Sequence, residues 1–166
     1  AMIARRSVRA FKPEQIGADE LDAILQAGLY AASGRGMQST RFVVVQDKAT
    51  RDLLARMNAE YLGADCDPFY GAPTIIAVLA DKTRATCVED GSLAIGNLML
   101  AAYSIGLGSC WIHRAREVFA DPRGQELLAK WGVPPNFIGV GHCALGRAAK
   151  PLPEPPARNE GRVYRV

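Results

Sequence analysis

Apolar positions along the chain change period several times, and each change marks an element. Leu21, Ile24, Leu25 and Leu29 recur at helical spacing after Ile16-Gly17-Ala18-Asp19-Glu20, whose acidic residues suit a helix N-terminus. They predict an amphipathic helix that ends near Ala32. Residues 41–46, Arg-Phe-Val-Val-Val-Gln, form a β-branched run of strand length, and Asp47 then caps a helix predicted over about 49–61. Pro68 and Pro73 bracket a loop. The uninterrupted apolar run Thr74-Ile75-Ile76-Ala77-Val78-Leu79-Ala80 predicts a strand buried on both faces, central in a sheet. From Val88 to Ile105 helical spacing returns through Leu93, Leu98, Met99, Leu100 and Ala101. That segment is apolar almost all round, which predicts protein on most sides and, in so small a chain, a subunit interface. Gly106 to Ile112 is a tight turn into a short extended segment, residues 123–131 a short helix, and residues 137–145 a second buried strand. Residues 147–166 hold four prolines and no helical period. Such a tail is either irregular or docked, and Val163-Tyr164-Arg165-Val166 has the composition to add a strand at a sheet edge.

At 166 residues the chain fits one domain, 1–166, carrying the Pro-rich tail of about 147–166. Hydrophobic residues make up 49% and charged residues 22%, which argues against wholesale disorder. The net charge of +3 is concentrated near the N-terminus and in the tail. This favours a discrete anionic ligand over nucleic acid, for which a continuous basic face is expected. The long apolar run at 93–108 is broken by Gly96, Asn97, Ser104 and Gly106, so it is too polar to span a bilayer. Nothing before Arg5 resembles a secretory signal, and Cys66, Cys87, Cys110 and Cys143 are therefore expected to be reduced thiols in a cytoplasmic setting.

Candidate chemistry begins at Arg5-Arg6-Ser7-Val8-Arg9. Guanidinium forks match phosphate oxygens and a serine adds a short donor, so the cluster reads as a receptor for a phosphorylated ligand or, alternatively, as a solvated basic end. Ala32-Ser33-Gly34-Arg35-Gly36-Met37-Gln38 offers hydrogen-bonding groups and permissive glycines suited to a planar polar ring or a phosphate, or else it is a helix cap and turn. In Gly106-Leu107-Gly108-Ser109 the glycines either stop a helix or expose amides to a ligand. Neither Gly106-x-Gly108 nor Gly139-x-Gly141 completes a dinucleotide fingerprint. Cys110 and His113, and likewise His142 and Cys143, fall on opposite faces of extended segments, which argues against a shared metal site. Cys110 beside the Gly-rich turn is the best candidate for a cysteine nucleophile, against a packed thiol.

Taken in order, Arg5-Arg6-Ser7-Val8-Arg9, Ser33-Gly34-Arg35-Gly36-Met37-Gln38, Gly71-Ala72-Pro73-Thr74 and Gly108-Ser109-Cys110-Trp111 resemble the FMN-dependent nitroreductase family. The resemblance spans nearly the whole chain. It implies an α+β fold with a central mixed or antiparallel sheet flanked by helices, and two subunits intertwined as a homodimer with FMN at their interface. It further implies that Arg5, Arg6, Ser7 and Arg9 bind the FMN phosphate, ribityl chain and pyrimidine edge, with Arg5 or Arg9 tuning the reduced flavin. On the same resemblance, Ser33, Gly34 and Gln38 would reach the isoalloxazine from the partner. Gly108 and Ser109 bring backbone amides near N5 and O4, and Arg158 is a late phosphate-binding arginine for which Arg147 and Lys150 are alternatives. The implied reaction is ping-pong: hydride from NADH or NADPH to flavin N5, then to a nitroaromatic, quinone or related small electron-poor acceptor, with no obligatory side-chain acid or base. A flavin-binding or sensing protein without turnover, or a specialised flavin dehydrogenase or dehalogenase, are the alternative readings. Two departures stand out: Gly36 replaces the usual Asn, and Ser39-Thr40 replaces the usual Pro-Trp after Gln38. There is also little room for a lid between the strand at Thr74 and the helix at Val88.

Overall fold

The computed structural model describes residues 1–166. Helix α1 (Ala18–Leu29), strand β1 (Thr40–Val45), α2 (Lys48–Leu62), β2 (Thr74–Asp81), α3 (Cys87–Ser104), β3 (Gly108–Ile112), α4 (Ala115–Ala120), α5 (Pro122–Lys130) and β4 (Phe137–Gly146) follow one another in the chain. The sheet has the order β1-β2-β4-β3 with every ladder antiparallel. One parallel bridge, Ser7 to Ser109, attaches the N-terminal segment to the β3 edge. The α+β expectation holds, with the predicted central strand paired on both sides.

Why β2 needs no polar alternation follows from its two faces. Ile75, Ala77 and Leu79 enter one core with Leu54, Met57, Phe69, Phe119 and Leu128. Ile76, Val78 and Ala80 enter the other with Ile24, Ile95 and Leu98. Helices thus cover both faces, α2, α4 and α5 on one and α1 and α3 on the other, so every residue of the run is withdrawn from water.

Close approach at Gly139 fixes how α4 lies on the sheet. A Cβ there would sit 2.2 Å from the carbonyl oxygen of Ala115. Because that obstacle is backbone, relief requires α4 to shift as a unit. Gly139→Ala is expected to cost about 1–3 kcal/mol or more through overpacking, read as a lower urea midpoint at unchanged slope. An unchanged midpoint would show that α4 is not held by this contact.

The local signals mostly act as predicted. Asp47 accepts a hydrogen bond from the Thr50 amide at 2.8 Å and starts α2, which stops at Gly63 with φ 70°. Three expectations need correction. Helix α1 ends at Leu29 rather than near Ala32, because the chain turns at Tyr30 and then leads to a short 3-10 turn at Gly34–Gly36. Helix α4 was not anticipated. Val163 to Val166 are exposed and add no strand. Helix α3 also buries only a stripe, Asp90, Gly91, Ala94, Ile95, Leu98 and Ala102, and leaves Leu93 53% exposed, so within one chain it is not surrounded.

Candidate functional site

The N-terminal segment is tied to the late part of the chain by backbone hydrogen bonds. Val8 N–H donates to the Ser109 carbonyl at 3.0 Å, Lys12 N–H to Arg147 at 2.9 Å and Ala149 N–H to Ala10 at 2.9 Å. Val8 and Phe11 anchor the segment by burial in the core. This attachment places the arginines beside β3. Arg5, Arg6, Ser7 and Arg9 line one cavity of about 470 Å³ together with Pro153, Glu154, Pro156 and Arg158 from the tail.

Charge in this cradle is unbalanced. Arg5 Nη1, Arg6 Nε and Arg6 Nη2 are buried without a hydrogen-bond partner, and Glu154 forms no ion pair with any of them. Arg6 Nη1 is used locally, on the carbonyls of Ile3 at 2.9 Å and Arg5. Buried cations with unmet donors are costly, and an oxyanion inserted among them relieves that cost with charge-assisted hydrogen bonds. Of the three late basic residues considered from the sequence, Arg158 lines the cradle. Arg147 is paired with Glu20 at 3.0 Å, and Lys150 does not line the cavity.

The second group of predicted residues lies elsewhere in the same chain. Ser33, Gly36 and Gln38 line a cavity of about 600 Å³ with Leu29, Tyr30, Thr40 and Arg41. The loop between α1 and β1 is strained, with φ of 55° at Arg35, 65° at Gly36 and 49° at Gln38. Its Ser33 hydroxyl accepts from the Gln38 amide at 2.9 Å. Gly34 N–H donates to Asp90 Oδ1 at 2.9 Å, and a Cβ on Gly34 would lie 2.3 Å from Thr86 Oγ1, so no larger residue fits this contact. One chain thus separates the arginine cradle from the Ser33 loop.

Gly108 and Ser109 open β3 and are both buried. The Ser109 hydroxyl faces inward, 3.5 Å from the Met99 carbonyl, while its backbone carries the bridge to the N-terminal segment. A nitroreductase family model matches residues 2–64 and 57–147, most of the chain. The chain belongs to the Nitroreductase family. A crystal structure of a nitroreductase with bound FMN from Bacteroides fragilis NCTC 9343 superimposes with TM-score 0.89 at 33% identity, covering 98% of this chain and 94% of that one. One with bound FMN from Desulfitobacterium hafniense DCB-2 also gives TM-score 0.89, at 27% identity over 99% and 95% of the two chains. The FMN reductase (NAD(P)H) of Bacillus subtilis strain 168 is 27% identical over 187 aligned positions, covering 96% of this chain and 71% of the relative.

Within this nitroreductase fold the cysteines do not assemble a nucleophile. Cys110 packs in the core beneath the cradle, where burial pushes its thiol above the ordinary value despite the opposing influence of Arg9, Ser7 and Arg5. The raised value keeps the thiol protonated. Cys143 enters the opposite core, and burial raises it further. No helix is long and apolar enough to cross a membrane.

Asp90 is the residue that sequence reasoning missed. It sits in the first turn of α3, 3% exposed, with Oδ2 accepting from the Ser39 hydroxyl at 2.6 Å and Oδ1 from Gly34. Burial pushes its carboxyl upward, but the hydrogen bonds from Ser39, Gly34 and Thr86 outweigh it and hold the group below the usual aspartate value. Acid so placed in an otherwise apolar helix was the available signal.

Proposed function

We propose that this nitroreductase-family chain is an FMN-dependent oxidoreductase that takes hydride from NADH or NADPH and reduces a nitroaromatic, quinone or related electron-poor acceptor. The observation that carries the reading is the set of unpartnered guanidinium nitrogens of Arg5 and Arg6 in one cavity with Arg9, Ser7 and Arg158. That donor set fits a phosphate monoester. When bound, FMN supplies the two-electron chemistry, accepting hydride at N5 and passing it on.

The chain's own residues then have distinct tasks. Arg5, Arg6 and Arg158 would anchor the phosphate, Ser7 would add a hydroxyl donor, and Arg5 or Arg9 would supply positive charge toward the ring. Amides of Gly108 and Ser109 offer fixed donors to the ring edge. Ser33, Gly34 and Gln38 come from a second copy, so the functional unit is a homodimer. Support for that assembly is the separation of the two cavities in one chain and the apolar side chains left bare: Leu29 58% and Tyr30 78% exposed on the wall of the second, and Leu93 53% exposed on α3.

Anaerobic purification tests the reading. A yellow protein is expected whose released chromophore is FMN and whose colour bleaches with NADH or NADPH. A colourless protein that cannot be reconstituted with FMN overturns it, and flavin retained without bleaching assigns a binding protein without turnover. Leu93→Glu is expected to shift the size-exclusion peak from dimer to monomer and to lower flavin retention, since a charge on this face must be desolvated for pairing. An unaltered dimer would remove α3 from the interface.

A further inference from the structure

Both ends of the strained loop are tied to one carboxylate. Gly34 N–H is held by Asp90 Oδ1, and the Ser39 hydroxyl by Asp90 Oδ2. Between these points lie the left-handed backbone conformations at Arg35, Gly36 and Gln38. Residues 35–38 contribute few buried contacts of their own, since all four are exposed. The Ser33 hydroxyl closes the loop from within by accepting from the Gln38 amide, whereas Asp90 ties Gly34 and Ser39 together to α3, and Thr86, on the same side, closes the space over Gly34.

We propose that Asp90 is a positioning residue that clamps the 34–39 loop to α3 and fixes the wall of the 600 Å³ cavity before any ligand arrives. A non-glycine residue with positive φ relaxes unless its surroundings over-determine it. Two charge-assisted hydrogen bonds to a nearly buried carboxylate supply that constraint, and loop ordering is then complete when the acceptor binds. The role in acceptor binding rests on the reading that Ser33, Gly34 and Gln38 face the flavin. The clamp itself does not.

Hydrogen exchange on the flavin-free chain decides the clamp. Asp90→Ala is expected to speed exchange of amides 34–38, while those of β2 and β4 keep their protection. Ser39→Ala, which leaves the Gly34 contact in place, gives a smaller increase and guards against a poorly folded first variant. Asp90→Asn retains an oxygen for Gly34 and a donor for the Ser39 oxygen, so it restores most of the protection. In the flavin-loaded protein, Asp90→Ala is expected to raise the acceptor KM about tenfold with kcat little changed, matching the loss of a hydrogen bond to a charged group. Wild-type exchange in both Asp90→Ala and Ser39→Ala overturns the clamp, and a faster loop with an unchanged acceptor KM overturns its role in acceptor binding. A chain that takes up no FMN sinks the functional reading instead, with the exchange result still deciding the clamp.

Discussion

Between pH 6.5 and about pH 4 the urea midpoint of the wild-type chain is expected to fall, and that of His142→Leu to fall much less over the same range. His142 is fully buried on β4, its ring 5.2 Å from Phe69 and 5.7 Å from Phe119, with no partner for either nitrogen. Burial pushes its pKa down to about 3; Arg114 adds to the fall, while the backbone of Ile112 and His113 opposes it. The folded ring therefore stays neutral where the unfolded ring, near 6.5, takes up a proton. Protons thus favour the unfolded chain, and stability present above 6.5 is lost progressively as pH falls toward 3. By pH 4 the loss from this one group is about 3 kcal/mol, a large share of the stability of an ordinary domain. Asp47 and Asp81, whose carboxyls are held low by hydrogen bonds, lose stability in the same direction. The difference between wild type and variant isolates the histidine. Equal pH slopes for the two chains would show that His142 is solvated or paired in the native state.

Arg5→Ala is expected to have effects of opposite sign on ligand binding and on the flavin-free fold. Its Nη1 is buried without a partner, so removal relieves a desolvated charge and should raise the melting temperature of the flavin-free chain. The same substitution removes a charge-assisted contact to phosphate worth about 1.5–3 kcal/mol, weakening FMN about ten- to a hundredfold. Fluorescence quenching on titration with FMN measures the second effect and thermal unfolding the first. Unchanged FMN affinity would take Arg5 out of the phosphate site. A fall in both quantities would mean that the guanidinium supports the fold through contacts of its aliphatic stem instead. Arg6→Ala is a weaker instrument, because Arg6 also holds the carbonyls of Ile3 and Arg5.

Elements whose signals are local were legible in the sequence. The 74–80 run could be assigned to a central strand because both of its faces are apolar, and Asp47 announced α2 through its own side chain. Helix α4 was not legible. It is six residues long, its entry residue Arg114 adopts φ 71°, and no side chain caps it, so it exists because Val118 and Phe119 fill the core beneath β4. The arginine cradle was visible as charge density, and the family resemblance pointed to Arg158, but the choice of Arg158 over Arg147 and Lys150 as its neighbour came only with the fold. Asp90 was invisible as a partner of the Ser33 loop because 56 residues separate it from Gly34. Hydrogen bonds at that range leave no periodic trace.

The bridges that fasten residues 7 and 11 to residues 109 and 148 have a consequence for how the protein is made. On the ribosome, Arg5, Arg6 and Arg9 emerge before β3 and β4, the strands beside which they dock. The wall of their cavity formed by Pro153 to Arg158 follows about 150 residues later, on the order of ten seconds at ordinary elongation rates. FMN therefore cannot template early folding, and the nascent chain must carry its cluster of unmatched cations to a nearly finished fold. Cutting the chain before Pro153 would remove no residue of the sheet or of either core and would leave the arginine cradle open on one side, a folded product expected to hold an anion less tightly.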